Sequence, residues 1–427
     1  MFFSIRIFNW FRVSVIYKVL FLILFSQISY SQMIPSFKGI YNKQSSSDGS
    51  TYVLDFDNDD NCTSNCTNSF YGEIGWNTNM SSYTVSIWVK SGSSNPGTWR
   101  GFFNCYSSSS DGFQLDSDGS GRYRFLAKVN NAKFGDNSIT TTWNHLAVTA
   151  DGSQTKLYYN GNLVSTNSWV ENTWNQIEIG RNRNTDRPGD YFIDEVRVWN
   201  TDLTQSQIQA WMHKTLDTSH DNYSNSTSDN LKVYFQMSSS SISGTTLSDQ
   251  SSNGNNATLY NVGEVELVSS YVPISDLNSS YETNVEAIWS ANTTSSSDAS
   301  NGLTMTVSST LSEENFAVFG NNNTSNTSTS DLPSDVVVRS ARIWQVYKSG
   351  SVSADVTIDI NAATDNTPTV GVADNYKLLH RIGTSGNFTT VATASVSGGV
   401  SVYEITFSGV TLHKGFYVIA ATDSDNL

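Results

Sequence analysis

Between residues 142 and 212 the chain spells out successive antiparallel strands and the turns that join them, which leaves few folds open. From Trp143 to Thr149 polar and apolar residues alternate, with Leu146 and Val148 on one side. Asp151-Gly152 turns the chain, Lys156 to Tyr159 runs back, and Asn160-Gly161 turns it again. Asn-Gly is the strongest short hairpin signal, because both central residues of the favoured turn need positive φ. Ile177 and Ile179 alternate once more, and in FIDEVRVW the residues Phe192, Asp194, Val196 and Val198 share one face by strict period two. That parity aims Asp194 at the core side. A short helix follows. Thr204 and Gln207 have capping-box spacing, Leu203 and Ile208 can staple across the cap, and Ile208, Trp211 and Met212 form an apolar stripe fit to lie on a sheet.

Several blocks in fixed order carry a family resemblance: VLDFDNDD, YTVSIWVKS, GFQLDSDGSGRYRFLAK, WNHLAVTADGSQTKLYYNGNLV, IEIG and YFIDEVRVWNTDLTQSQI. Over residues 51–214 the chain resembles the laminin-G-like jelly-roll family of the concanavalin-A-like lectin/glucanase superfamily. The resemblance implies a sandwich of two antiparallel sheets; it does not fix a function, since one fold hosts many activities. It also implies a structural Ca²⁺. Proteins of this superfamily often hold calcium between an N-terminal Asp-Gly turn, here Asp57-Asn58, and the aspartate of the last strand, here Asp194. Asn58 departs from the glycine of that pattern. The other reading of Asp194 is that it accepts backbone N–H bonds or pairs with Arg183 or Arg187, because a buried carboxylate needs partners.

The whole chain reads as all-β: a laminin-G-like jelly-roll sandwich followed by a second, smaller β-sandwich. Residues 1–31 have the build of a signal peptide, with Arg6, Arg12 and Lys18 ahead of VLFLILF and small residues Ser29 and Ser31 near a cleavage point. A polar lead-in (32–50), the first domain (51–265, with its core in 51–214), a linker (266–280) and the second module (281–427) follow. The phrase GTTLSDQSSNGNNATLYN is either the last part of the first domain or a remnant of another unit. In DVTIDI, Val356, Ile358 and Ile360 are expected to face inward. Residues 281–427 resemble a module of large secreted proteins of Bacteroidetes-type bacteria that carries no known chemistry.

Charge narrows the partners. Lys and Arg number 24 against 39 Asp and Glu, a net of −15, and nucleic acid demands the opposite sign. Removing the three basic residues of the leader takes the mature chain to −18 and leaves it no transmembrane segment. Three cysteines are too few for a disulfide scaffold; Cys62 and Cys66 could pair, with Cys105 left over. No cysteine or histidine spacing suits zinc.

Catalysis of the glucanase type needs two carboxylates across one bond, supplied in this fold by alternate residues of one strand. Glu178 stands alone in its strand, and Asp194 and Glu195 are adjacent, so no such pair is legible. Composition leaves Ser-His-Asp chemistry open, but there is no nucleophile elbow. A turn, not a calcium loop, is expected in SSSSDGFQLDSDGSG. Of eleven tryptophans, Trp88, Trp143, Trp199 and Trp211 fall on strand or helix patterns and read as core. Trp169 and Trp174 lie in the polar stretch STNSWVENTWN beside Glu171, where an indole either stacks on a sugar ring or plugs the loop from below. Trp99, in NPGTWRG, is a further candidate of that kind. The function expected from this reading is non-catalytic binding of a polysaccharide or surface glycoconjugate, or adhesion, outside the cell. A ligand-free spacer is the alternative, and a glycoside hydrolase a more distant one.

Overall fold

The computed structural model describes residues 52–427 apart from 57–69, 76–77, 95, 106–111, 128–129, 137, 175, 184–186, 217–229, 239, 262–265, 292–293 and 399–401. The leader, the lead-in, Asp57, Asn58, Cys62 and Cys66 lie outside the described residues.

The alternating segments form two β-sandwiches. In the first, one sheet runs in the order Asn162–Asn167, Thr155–Tyr159, Asn144–Asp151, Ser82–Ser91, Tyr191–Trp199, Tyr52–Phe56, Glu266–Ser269, and Leu231–Phe235 also pairs with Tyr191–Trp199. The facing sheet runs Ile242–Ser243, Thr246–Leu247, Ala257–Tyr260, Tyr71–Ile74, Ile177–Ile179, Gly101–Asn104, Phe113–Ser117, Tyr123–Ala127, Asn131–Lys133. Every pairing between these strands is antiparallel. Val85, Ile87, Val89, Leu146 and Val148 from one sheet meet Ile74, Phe103, Phe113, Leu115, Phe125, Ile177 and Ile179 from the other. Both residues of Asn160-Gly161 have positive φ, 48° and 76°, as the tight hairpin requires. The helix is Gln205–Trp211, with the Thr204/Gln207 capping box formed and its buried face on Trp199, Tyr158 and Leu231.

Two expectations need correction. Strict alternation put Phe192, Asp194, Val196 and Val198 on one face. A β-bulge between Asp194 and Arg197, with Glu195 at φ 51°, shifts the parity by one residue. Ile193, Val196 and Val198 therefore enter the core, while Phe192 and Asp194 lie on the opposite face. Asp194 stands opposite Trp88, whose ring belongs to a separate apolar cluster. The bulge is held by Arg197, which is buried, donates to Glu195, to the Trp211 carbonyl (2.9 Å) and to the Lys214 carbonyl, while the Tyr234 hydroxyl donates to Glu195 (2.8 Å). The second correction concerns the linker: Glu266–Ser269 pairs with Tyr52–Phe56 and so completes the first sandwich. Ala257–Tyr260 likewise pairs with Tyr71–Ile74, which assigns GTTLSDQSSNGNNATLYN to the first domain.

The second sandwich has one sheet ordered Thr283–Ile288, Phe316–Asn321, Trp344–Ser349, Gly415–Ala421, Val338–Ser340, Thr327–Ser328, joined by Tyr376–Arg381 and Thr389–Thr393. The other is ordered Ser295–Asp298, Leu303–Thr306, Ser353–Asp359, Glu404–Thr411, Val396–Ser397. Val356, Ile358 and Ile360 are buried as expected, although at Ile360 the chain has already entered a one-turn helix capped by Asp359. Both sandwiches belong to one compact unit. Trp88 and Trp143 of the first pack against Val285, Ala287, Trp289 and Phe316 of the second, and the Trp289 indole donates to the Trp143 carbonyl (3.1 Å). Among the described residues no helix is long and apolar enough to cross a membrane.

Candidate functional site

The outer face of the second sheet of the first sandwich carries polar side chains where its inner face carries Phe103, Leu115 and Phe125. Glu178, Asn104, Gln114 and Leu126 stand opposite one another across four strands, and Asp116, Arg124 and Lys133 make the next row. Arg124 grips Asp116 with both ends of its fork, Nε to Oδ1 at 2.8 Å and an Nη to Oδ2 at 2.6 Å, and Gln114 donates to the same carboxylate. Asp116 is fully buried. Burial pushes its pKa up, with Arg124 working against that. Along the first row Asn104 donates to Glu178 (2.8 Å), and Arg181 pairs with the same carboxylate while lying over the Tyr71 ring at 3.3 Å.

Two loops stand over this face. Gly101 lets them approach, since a Cβ there would sit 2.4 Å from the Asn182 side chain. Gly101 also bridges to Pro188. The shorter loop carries Trp99 at φ 64°, a left-handed conformation that costs a bulky residue about 1–2 kcal/mol. The position is fixed from three sides. Trp99 N–H donates to the Ser117 carbonyl (2.8 Å), its carbonyl accepts from Asn182 (2.7 Å), and the Arg187 guanidinium lies 4.3 Å from the ring centroid. The indole remains 42% exposed. Trp99, Gln114, Arg124, Leu126, Asn182, Arg183 and Arg187 enclose a hollow of about 390 Å³. A second hollow of about 510 Å³, lined by Thr78, Asn79, Met80, Ser81, Ser82, Asn200, Lys232 and Asn253, has hydroxyls and amides but no ring.

The residues expected from sequence fall elsewhere. Trp174 is only 2% exposed and lies edge-on to Tyr83 and Phe113, each at 5.0 Å, so it is a core residue and cannot offer a stacking face. Trp169 is half-buried, stacked on Phe125 at 5.5 Å, with its carbonyl taken by Thr155. Glu171 accepts from Thr173 N–H within its own loop (3.0 Å). The three do not converge on either hollow. Within STNSWVENTWN, Trp174 plugs the loop from below, and Trp169 is partly buried against the core. A bare indole in a polar stretch is ambiguous because the apolar surface it covers comes from strands far away in sequence. The positive φ that singles out Trp99 leaves a faint trace, the Pro96-Gly97 pair just before it.

Both carboxylate oxygens of Asp194 have protein partners, and Asp57 and Asn58, the other residues of the expected calcium site, lie outside the described residues. Oδ1 of Asp194 accepts from Glu195 N–H (2.8 Å) and its Oδ2 from the Ser270 hydroxyl (3.0 Å). Burial, reinforced by Glu195, holds its pKa well above the usual carboxylate range. Arg183 and Arg187 line the hollow on the other sheet. Among the described residues no group of three or more His, Cys, Asp and Glu could hold a metal ion. Asp118 accepts from Ser120 and Arg122 N–H and closes the expected hairpin turn. Cys105 is buried and free. Ser86 and His145 are hydrogen-bonded (2.8 Å) but both are sealed on the face that carries Trp88, where no substrate reaches them.

Comparison with known proteins agrees with this architecture. Residues 43–209 match the concanavalin A-like lectin/glucanases superfamily, and residues 273–416 match a domain of unknown function, DUF8202. The first sandwich is thus a concanavalin A-like jelly roll. Similar solved structures include a candidate carbohydrate-binding protein of Bacteroides ovatus, at 19% identity and TM-score 0.41 over 53% of this chain and 62% of that one. The alignment therefore spans less than two thirds of that protein. A heptameric SAP-like pentraxin of Limulus polyphemus is similar at 15% identity and TM-score 0.30 (37% and 80% covered). The CBM40 module of a Ruminococcus gnavus IT-sialidase, bound to α2,3-sialyllactose, is similar at 15% identity and TM-score 0.26 (31% and 90% covered). No match to a curated protein was found.

Proposed function

We propose that the first sandwich is a non-catalytic glycan-binding module of an exported chain, acting outside the cell in recognition or adhesion. The observation that carries this reading is Trp99: a large ring held exposed in a strained conformation, at the rim of a hollow floored by amides and guanidiniums. Strain of this kind persists only where surrounding structure over-determines it, and it clusters at ligand sites. An indole edge beside fixed polar groups suits a pyranose, whose C–H face stacks while its hydroxyls are hydrogen-bonded. Of the carboxylates on the face, Asp116 and Glu178 are each held by an arginine, which leaves neither placed to serve as acid or nucleophile, and Glu73 stands beside Glu178 on the neighbouring strand.

The test is a glycan array probed with the chain from residue 32 onward, beside the variants Trp99→Ala and Trp169→Ala. Signal that drops at least tenfold in the first and stays within twofold in the second supports the site. Equal signal from wild type and Trp99→Ala rejects it, and release of reducing ends from a bound polysaccharide rejects the non-catalytic reading.

A further inference from the structure

We infer that the face carrying Trp99 holds a second sugar-stacking subsite on Tyr260, and that the ligand is an unbranched chain of neutral sugars long enough to reach both rings; this rests on the glycan-binding reading above. Ala257 and Leu259 enter the core, so period two turns Thr258 and Tyr260 outward, onto the same face as Tyr71 and Glu73. Tyr260 stands directly opposite Tyr71, and the two rings stack with centroids 4.8 Å apart and planes 10° from parallel. From just past the strand on the other side of Tyr71, Arg181 lies over that ring at 3.3 Å, so one end of the stack is closed. The other end is open. Thr246 pairs with Thr258, and the same register continued puts Gly244 opposite Tyr260. Gly244 has no side chain, and among the described residues nothing lies within 4 Å of where one would begin. Tyr260 is 38% exposed.

A tyrosine pair that served only the sheet would gain from a covered outer ring. Here the outer ring borders open space, with Thr246 and Thr258 on the neighbouring row of the same face. A ring for the C–H face of a sugar and hydroxyls for its hydroxyls are what such a subsite needs. Charge sets the class. Glu73 lies beside Thr258 on the adjoining strand and the whole chain carries −15, so an anionic sugar meets repulsion there. Spacing sets the length. Three strand spacings separate Ala257–Tyr260 from Gly101–Asn104, the strand that Trp99 leads into, which puts the two rings about 14 Å or more apart. A single sugar or a disaccharide engages one ring at a time. A longer chain engages both, and the second contact is then intramolecular, so affinity rises with chain length.

The experiment measures binding of the chain from residue 32 onward to disaccharides and hexasaccharides of the cello, xylo and manno series by titration calorimetry. The expected result is that in at least one series the hexasaccharide binds at least tenfold tighter than the disaccharide. In Tyr260→Ala the hexasaccharide should fall to the disaccharide's level, whereas Tyr260→Phe, which keeps the ring, should stay within threefold of wild type. A structural role alone would lower the melting midpoint of Tyr260→Ala without removing the length dependence. Equal affinity for two and six units overturns the inference while leaving glycan binding intact. Undiminished hexasaccharide binding by a folded Tyr260→Ala overturns it as well. Absence of binding in all three series also overturns it, and if no glycan binds on the array either, the reading beneath it falls too.

Discussion

Each sandwich contains a cluster made of a carboxylate, an arginine and side-chain amides, and the two clusters do different things. In the first, Asp116, Arg124, Gln114 and Asn182 sit under a hollow rimmed by an exposed ring. In the second, Asp298 accepts from Asn284 (3.2 Å), Asn301 (2.9 Å) and Asn321 (2.7 Å), while Arg342 donates to Asn301 and Asn321 from the other side. Apart from Asn284 that network is buried and closes on itself: the cation that would balance the amide oxygens is the chain's own guanidinium. Similar chemistry is, on the reading proposed above, a binding surface in one place and a structural clamp in the other. Access decides, and access comes from loops packed over the face rather than from the residues in it.

The contrast predicts that sealed groups report through stability and open ones through binding. The largest effect is expected for Asp298→Ala, which strands the Asn301 and Asn321 amides. Unfolding free energy should fall by about 3–4 kcal/mol, read by denaturant titration, with glycan affinity unchanged. A mild loss would show that water enters the cluster and would break the comparison.

Next come the buried titratable groups. Burial holds His213 down to about 4, although its Nδ1 faces the Pro273 carbonyl at 2.7 Å. Its unfolded pKa is about 6.5, so between those values the unfolded chain binds a proton that the folded one refuses, and stability is lost as pH falls. Asp194 and Glu286 titrate in the opposite sense, so the difference from His213→Asn isolates the effect: the wild type should lose about 3 kcal/mol more than the variant between pH 6.5 and pH 4. Parallel pH curves would show that the imidazole is wet. In the second sandwich, burial raises Glu286 to about 7, with the Ser296 hydroxyl opposing. Its contribution is present at low pH and lost as pH rises through 7, so Glu286→Gln should stabilise the protein at pH 8 by about 2 kcal/mol after allowance for partial solvent exposure. No gain at pH 8 would place the carboxylate in water.

A smaller shift tests the open cluster. Trp99→Gly removes the left-handed penalty and should leave stability unchanged or raise it by about 1 kcal/mol while glycan affinity falls tenfold or more. Loss of stability would make the ring structural. The smallest effect is expected from a chelator. With Asp194 satisfied by Ser270 and Glu195, the melting midpoint should stay within about a degree, because only a ligand of the native state raises it. A drop of several degrees on chelation would return Asp194 to calcium.

Much of the fold was legible because strand parity and turn chemistry are local. Leu146 and Val148, the Asn160-Gly161 turn and the Thr204/Gln207 cap could be read from a few neighbouring residues, and each is where it was expected. Asp194 shows the limit of that reading. One bulge at Glu195 moved it to the other face, and the bulge is stabilised by Arg197, Tyr234 and the carbonyls of Trp211 and Lys214, contacts that no local pattern contains.

The tryptophans divide in the same way. Sequence established that the chain has more indoles than a polar surface would carry and that Trp99, Trp169 and Trp174 fall outside the strand patterns. Which of them meets solvent was settled by packing. Trp174 found Tyr83 and Phe113, Trp169 found Phe125, and Trp99 was held out on a left-handed turn by Ser117, Asn182 and Arg187. Alternation along a strand fixes which way a side chain points; only the assembled sheets and loops fix what it meets there, because burial depends on surfaces that come together from distant parts of the chain.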